Sequence, residues 1–266
     1  MELNLRLEKP TDHYAVEELT REAFWKQGWE AKPQICDEHL LVNRLRTCAS
    51  FVPELNYVAE AHGKLAGHII YTKSKIVNDY GVAHEMLTFG PLSVLPDYHG
   101  KGIGKALMLH TFGIAKQLGY RAIIIFGHPD YYPRVGFRRG AEFGLTTSEY
   151  KTFDPFMAYP LYDGALDGIC GRYFIDPVYE DLKEEDVMAF DKKFPPKEMH
   201  MPIPVDVLLN RLKPEARMAI QGLGFEVLTM MQTKSQGEIS ALAGVDDFAV
   251  ETIRGVMEEH GYRWGN

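Results

Sequence analysis

The chain has few cysteines, no long apolar run and no excess of positive charge, and each shortage argues against a class of protein. Its 266 residues include three cysteines, Cys36, Cys48 and Cys170. Because they are odd in number and widely spaced, we expect neither a disulfide framework nor a metal site. The formal net charge of −8 disfavours nonspecific attraction to nucleic acid or an anionic membrane. Without a membrane-length apolar run or a signal peptide, the sequence predicts a cytoplasmic protein without nucleic-acid or membrane partners.

What the sequence does have is a glycine-studded turn between an apolar strand and an amphipathic helix. We predict the strand over 84–94 and the helix over 102–118, with glycines at 100, 102 and 104. Glycine tolerates positive φ and lets a ligand approach the backbone, and the unpaired amides at a helix start favour a phosphate group. The turn lacks the Lys-Ser/Thr ending of a P-loop and is not followed by an acidic ribose-binding residue. Nucleotide hydrolysis and NAD binding are therefore disfavoured.

Two motifs resemble those of the GNAT superfamily of acetyl-CoA-dependent N-acetyltransferases. Residues 99–104 (HGKGIG) are similar to the family's Arg/Gln-x-x-Gly-x-Gly/Ala pattern, with His99 in the first position, and residues 131–137 (YYPRVGF) are similar to its Tyr-x-x-x-Gly-Phe element. The sequences of residues 127–132 and 156–161 most resemble those of the YhbS-like bacterial branch. The resemblance implies an α/β (α+β) fold class, with a mixed, mostly antiparallel sheet flanked by helices.

The same resemblance implies that acetyl-CoA binds as a cosubstrate between two diverging strands. The strand ending at Val94 would splay from a strand at 122–126, and the pantetheine arm would lie between them. Backbone groups of Leu92 and Val94 would hold the arm, and a nearby amide would polarise the thioester carbonyl, an effect worth roughly 3–4 kcal/mol. The implied cofactor-binding residues are Leu92, Val94, His99, Gly100, Lys101, Gly102, Ile103, Gly104 and Lys105.

Acetyl transfer to an amine requires two proton transfers. An alkyl ammonium has a pKa near 10.4, so the neutral nucleophile costs about 5 kcal/mol at pH 7. The departing thiolate also needs a proton, and the resemblance implies that Tyr132, four residues before Gly136, supplies it. The alternative is a packed tyrosine with a satisfied hydroxyl, which is our expectation for Tyr131.

The general base is less evident. Histone-type members of the family carry a glutamate six residues before the position of Val94, where this chain has Thr88. Glu85, on the same predicted strand, is a candidate base, with a solvated strand-end charge as the alternative. His128 is a second candidate, or a contact to the cofactor, with a loop-capping histidine as the alternative. A chain of waters would make a protein base unnecessary.

A change of character after a proline-rich stretch predicts two domains. Prolines at 195, 196, 202 and 204 bracket a charged stretch that can neither continue a helix nor join a sheet interior. We predict an acetyltransferase domain over residues 1–200 and a small all-α domain over 203–266. From residue 224 to residue 253 the second domain resembles the helix-hairpin-helix C-terminal domain of the RNA polymerase alpha subunit.

The charge of that second segment argues against DNA binding. Its hairpin carries Asp246 and Asp247 where DNA-binding versions carry glycine and lysines, and residues 203–266 hold six Lys/Arg and nine Asp/Glu. Its apolar content suggests docking on the catalytic domain or on a second subunit as a homodimer. That suggestion rests on Leu223, Phe225, Met230, Met231, Phe248 and Trp264.

The sequence thus predicts an acetyl-CoA-dependent N-acetyltransferase. It would transfer an acetyl group to a primary amine of an unidentified acceptor by direct attack on the thioester. The alternative is an acyl-CoA-binding, transcription-associated sensor or interaction protein without significant turnover.

Overall fold

A computed structural model describes residues 2–25, 36–197, 202–262 and 264. The chain divides into a first unit, Met1–Phe24 with Asp37–Pro195, and a second unit, Trp25–Cys36 with Pro196–Asn266. The loop predicted over 26–33 lies outside the described residues. In the described part, no helix combines the length and the apolarity needed to cross a membrane.

The first unit is built on a mixed sheet, which has nine strands in the described residues. The strand order is β1-β2-β3-β4-β5-β8-β6, and β9 pairs with both β3 and β7. The pairs β4/β5 and β7/β9 are parallel and the other strand pairs are antiparallel. The predicted α/β class with a mostly antiparallel sheet is confirmed. The strands are β1 (Leu3–Leu7), β2 (Tyr57–Ala61), β3 (Lys64–Val77), β4 (Ala83–Val94), β5 (Ala122–Phe126), β6 (Arg138–Arg139), β7 (Leu145–Thr147), β8 (Phe156–Pro160) and β9 (Gly171–Phe174).

Helices cover both faces of this sheet. Alternate strand residues point to opposite faces, and β3 shows the consequence. Ile69 packs in the cluster that contains Leu107 of α3, whereas Ile70 packs with Val16 of α1 and Leu41 of α2. The helices of the first unit are α1 (His13–Phe24), α2 (Glu38–Leu45), α3 (Ile103–Gln117) and α4 (Glu184–Asp191).

A buried ion network joins α1 and α2 to the segment after β1. Arg46 lies 2.6 Å from Glu8 and 2.5 Å from Glu17, and all three side chains are at most 7% exposed. Asn56 also donates to the Glu8 carboxylate. Because removal of one partner would leave a buried charge unpaired, this network holds the two helices in a fixed position on the sheet.

Local turn chemistry explains several boundaries. The residues His62-Gly63-Lys64 between two apolar runs predict a hairpin, and the structure forms it between β2 and β3, where His62 and Gly63 have the positive φ angles of 52° and 75° that the tight turn needs. The sequence predicts a brief helix over 130–134, and the structure has a 3-10 turn at Tyr132–Val135, because prolines at 129 and 133 prevent a longer helix. The sequence also predicts a strand over 143–147, which in the structure starts only at Leu145, after another 3-10 turn.

The second unit is helical and has its own apolar core. Asp246 caps α8 by accepting a hydrogen bond from the amide of Ala249 at 2.8 Å, and its carboxylate lies 2.7 Å from Lys213. The hairpin carboxylate is therefore partly neutralised within the unit. Its helices are α5 (Asp206–Leu209), α6 (Pro214–Gln221), α7 (Gln236–Ser240) and α8 (Asp247–Glu259).

The core of the second unit uses most of the apolar residues that suggested docking. Met231 and Trp264 are buried in that core, and Leu223 and Phe225 pack against it. The indole of Trp264 also donates to the carbonyl oxygen of Lys234 at 2.9 Å. Phe248 remains 55% exposed. The surplus of apolar side chains on which the docking expectation rested is thus smaller than the sequence suggested.

Two glycines in the first unit should respond oppositely to alanine substitution. At Gly171, φ is 132° and an added Cβ would lie 2.3 Å from the carbonyl oxygen of Val77, so Gly171→Ala should destabilise the β3/β9 pairing by about 2 kcal/mol or more. At Gly113, inside α3, an added Cβ would meet no atom within 4 Å, so Gly113→Ala should stabilise by about 0.5–1 kcal/mol. Thermal or urea unfolding monitored by circular dichroism checks both signs. Equal effects of the two substitutions would contradict the close approach of β9 to β3.

Candidate active site

The glycine turn after β4 presents free backbone donors. A 3-10 turn at Pro96–Tyr98 leads to Gly102, whose φ of 81° makes it a left-handed N-cap of α3. In the described part of the chain, the amides of Ile103, Gly104 and Lys105 donate no hydrogen bond. A Cβ at position 100 or 102 would meet no atom within 4 Å. The turn therefore leaves both the donors and the space that an anion at a helix start requires.

The side chains of this turn differ in what they can contribute. His99 is exposed and its Nε2–H donates to the carbonyl oxygen of Val94 at 2.9 Å. Lys101 and Lys105 are exposed, and the Lys101 ammonium lies 4.8 Å from the centre of the Tyr98 ring. Ile103 is buried in the core, so only its amide faces a ligand.

Strands β4 and β5 diverge beside this turn. In the described residues they are paired at a single position, Leu87 with Ile123. From there β4 continues to Val94 along β3, and β5 continues to Phe126 along β8. Since each strand is held on its outer edge, the inner edges leave an opening that widens towards the glycine turn. Leu92 and Val94 lie on its β4 side.

Tyr132 lies in this opening. Its ring centre is 6.0 Å from that of Phe89 on β4 and 5.4 Å from that of Phe137. The ring also packs on Gly127, directly after β5, where an added Cβ would lie 2.4 Å from two ring carbons. In the described part of the chain its hydroxyl has no hydrogen-bond partner. Burial, and next the charges of Tyr131 and Glu38, raise the pKa of the phenol, so it is protonated at neutral pH.

The expectation that Tyr131 is a packed tyrosine is wrong. Its side chain is 40% exposed, and its hydroxyl would lie 3.1 Å from a Cβ added at Gly104. The Tyr131 hydroxyl therefore reaches the start of α3. The rings of Tyr131 and Tyr132 meet edge to face with their centres 5.1 Å apart, and the Tyr132 ring is directed inwards.

A bulge in β4 was missed by our sequence analysis. Between the pairs Ile69–Leu92 and Tyr71–Phe89 of the β3/β4 ladder, Gly90 and Pro91 stand opposite one residue of β3. The Tyr179 hydroxyl donates to the Gly90 carbonyl oxygen at 3.4 Å and lies 3.1 Å from the Thr72 hydroxyl. A Gly-Pro pair inside an apolar strand is the signal that would have indicated this bulge.

Of the two candidate bases from the sequence, Glu85 lies away from Tyr132. Glu85 lies two residues before Leu87, on the closed side of the divergence, and pairs with Lys73 at 3.2 Å. Its side chain is 55% exposed. At about 3.3 Å per residue, Glu85 is roughly 16 Å along β4 from Gly90. The geometry corresponds to the alternative of a solvated strand-end charge.

His128 has the geometry of a loop-capping histidine, the alternative to a general base. Its Nδ1 accepts a hydrogen bond from the amide of Asp130 at 3.3 Å, and this bond caps the loop after β5. The His128 side chain is 63% exposed. The described residues contain no group of three or more His, Cys, Asp or Glu that could hold a metal ion.

The chain is similar to several known proteins. Residues 14–138 match the Acetyltransferase (GNAT) family. The chain is 28% identical over 168 residues to the uncharacterized N-acetyltransferase YhbS of Escherichia coli strain K12, a match that spans 63% of this chain and 92% of YhbS. It is 33% identical over 97 residues to the uncharacterized N-acetyltransferase YjhQ of the same strain, spanning 36% of this chain and about half, 53%, of YjhQ.

Solved structures show the same fold. The crystal structure of YhbS from Escherichia coli in complex with CoA has a TM-score of 0.59 at 23% identity, covering 69% of this chain and 94% of that one. A GNAT family acetyltransferase from Brucella melitensis in complex with acetyl-CoA has a TM-score of 0.52 at 24% identity, covering 67% and 98%. These likenesses show that the first unit has the GNAT fold, and the chain is similar to YhbS. The helix-hairpin-helix resemblance of the second unit stays a prediction.

A double-mutant cycle should reveal the contact between Gly127 and the Tyr132 ring. Gly127→Ala places a methyl group against the ring and should lower the free energy of unfolding, whereas in a Tyr132→Ala background the added methyl meets only the flexible end of Ile125, whose Cδ1 would lie 2.9 Å away. We expect a coupling free energy of about 1 kcal/mol or more between the two changes. Urea unfolding of the four proteins measures it. Additive effects would show that the ring does not rest on Gly127.

Proposed function

We propose that this protein transfers an acetyl group from acetyl-CoA to a primary amine by direct attack on the thioester. The observation that carries this proposal is the opening between β4 and β5, bounded by a glycine turn with free amides and, among the described residues, by a half-buried phenol at Tyr132 without a hydrogen-bond partner. The GNAT relatives support it, because two neighbours of this fold are complexes with CoA or acetyl-CoA. The acceptor is not identified by these features.

In this proposal, acetyl-CoA binds with its pyrophosphate at the glycine turn and its pantetheine arm in the opening. The free amides at Ile103–Lys105 and the positive end of α3 would face the pyrophosphate, with Lys101 and Lys105 as nearby cations. The space around Gly100 and Gly102 allows close approach. The pantetheine arm would then run along the free inner edge of β4 past Val94 and Leu92. Because the Val94 carbonyl already accepts from His99, we expect the arm to rely more on Leu92.

In the proposed reaction, one acidic side chain of the protein protonates the departing sulfur. The neutral amine nitrogen attacks the thioester carbon, the C–S bond breaks, and the Tyr132 hydroxyl donates its proton to the departing sulfur. The second proton lost by the amine restores the phenol. Burial raises the pKa of the phenol, but the thiolate forms in the same surroundings, where burial also raises the pKa of a thiol. Alignment of the reactants contributes more than the acid.

For the second unit we propose a helix-hairpin-helix-like module that does not bind DNA. Its net charge is negative, and Asp246 is already engaged with Lys213 and the start of α8. Phosphate contacts would require lysines at that hairpin. A role in self-association remains part of this proposal, supported by exposed Phe248.

Acetyl-CoA affinity should respond to charge at Gly102. Gly102→Ala and Gly102→Asp share the strain of a side chain at a φ of 81°, but aspartate adds a negative charge beside the pyrophosphate. We expect Gly102→Asp to bind acetyl-CoA at least about tenfold more weakly than Gly102→Ala, which is 1.4 kcal/mol. Isothermal titration calorimetry on both variants, with circular dichroism to verify folding, measures the difference. Equal affinities would remove the pyrophosphate site from this turn.

Tyr132→Phe should separate turnover from binding. The substitution keeps the ring on Gly127 and Phe89 and removes only the hydroxyl. We expect kcat to fall about 10²-fold while the Kd for acetyl-CoA changes little. Thiol release from acetyl-CoA with a panel of primary amines measures turnover, and calorimetry measures binding. Turnover at the wild-type rate would mean that another group protonates sulfur or that the thiolate leaves unaided.

A further inference from the structure

Resting on the acetyltransferase activity proposed above, we infer that Glu38, the first residue of α2, is the general base that takes a proton from the acceptor's ammonium group. Sequence analysis placed the candidate bases on β4 and in the loop after β5. The structure instead brings a carboxylate from α2 towards the bulged part of β4.

The position of Glu38 follows from how α2 packs. Leu41 and Val42 of α2 lie in one apolar cluster with Ile70 of β3, and Tyr179 packs against that cluster. The Tyr179 hydroxyl in turn reaches the Gly90 carbonyl at the β4 bulge. The helix α2, which begins with Glu38, therefore packs beside β4 and Tyr179.

The charge of Glu38 acts on two phenols of the site. After burial and closer partners, it contributes to the raised pKa of both Tyr132 and Tyr179. The Tyr132 phenol lies in the opening and the Tyr179 phenol at the bulge. Its residue is partly exposed, and in the described part of the chain the carboxylate has no hydrogen-bond or ion-pair partner. It is therefore available to a cationic ligand.

The environment of Glu38 suits a base at neutral pH. Burial, and next the neighbouring charge of Asp37, raise the pKa of Glu38 to about 7. The other charged groups of α2 point to partners elsewhere: Arg44 pairs with Asp186, and Arg46 pairs with Glu8 and Glu17. His39 lies 3.2 Å from Asp191. Among the described residues, Asp37 is the charged group that acts on the pKa of Glu38.

The step balances without a further reactant. The ammonium gives one proton to the Glu38 carboxylate, and the neutral nitrogen attacks the thioester carbon. When the C–S bond breaks, the sulfur is protonated by Tyr132 and the nitrogen's second proton returns to that phenol. The proton on Glu38 passes to solvent through its exposed side. The products are the amide, the free thiol and one released proton.

Glu38→Gln tests this assignment because it removes the charge and keeps the shape. With alkyl amines that are protonated at pH 7, we expect kcat/KM to fall at least about 50-fold. The acid limb of the wild-type pH profile, with its midpoint near pH 7, should disappear. With an aromatic amine that is already neutral at pH 7, the same variant should lose less than about threefold. A structural defect would lower both activities alike.

Glu180→Gln, which neutralises an exposed carboxylate next to Tyr179, is the matched control and should keep the wild-type profile. Acetyl-CoA binding measured by calorimetry should be unchanged in both variants. If wild-type protein releases no thiol with any amine in the panel, the acetyltransferase proposal fails and this inference falls with it. If the wild type is active and Glu38→Gln retains both its rate and its acid limb, only the role of Glu38 is overturned. Equal losses with alkyl and aromatic amines would also overturn it.

Discussion

The constraint on which the first unit depends is that β4 and β5 are parallel neighbours that meet at one residue pair. A sheet ordinarily satisfies its backbone groups by pairing each strand along its length, and an unpaired inner edge is costly unless water or a ligand satisfies it. Here β3 holds β4 and β8 holds β5, so neither strand is free to close the gap. The gap is thus a fixed property of the sheet and offers backbone donors and acceptors to an extended ligand.

The two ends of this gap differ in chemistry for reasons that lie in the backbone. At the wide end, the left-handed conformation of Gly102 starts α3 with its amides directed outwards. Nearer the narrow end, the rings of Phe89 and Phe137 pack against Tyr132, and the β4 bulge at Gly90 interrupts the ladder with β3. One end favours an anion and the other favours a group that must gain or lose a proton. A thioester joined to a pyrophosphate through a long arm has this same division.

Much of the fold was predictable from the sequence. Apolar residues at strand or helix spacing, bounded by glycine or proline at turns, indicate β1 to β5, α3 and the β2–β3 hairpin. The short strands β6 and β8 were not found, since β6 has two exposed arginines and β8 carries no alternation that separates it from a turn. In the candidate site, the glycine turn and Tyr132 belong to contiguous sequence motifs. The base that we propose, Glu38, does not, because packing brings α2 beside β4 and Tyr179 and leaves no local pattern. Glu85 was chosen as a candidate base because it lies on β4, but the direction of β4 places it at the closed end of the gap between β4 and β5.

The buried network of Arg46 with Glu8 and Glu17 has a consequence for how ionic strength acts on the protein. Mobile ions screen exposed charges over a Debye length of about 8 Å at physiological salt, but they barely reach pairs enclosed by protein. The charges that hold α1 and α2 on the sheet are enclosed, whereas Lys101 and Lys105 beside the glycine turn are open to solvent. Added salt therefore weakens attraction at the turn while the scaffold beneath it keeps its electrostatic cohesion.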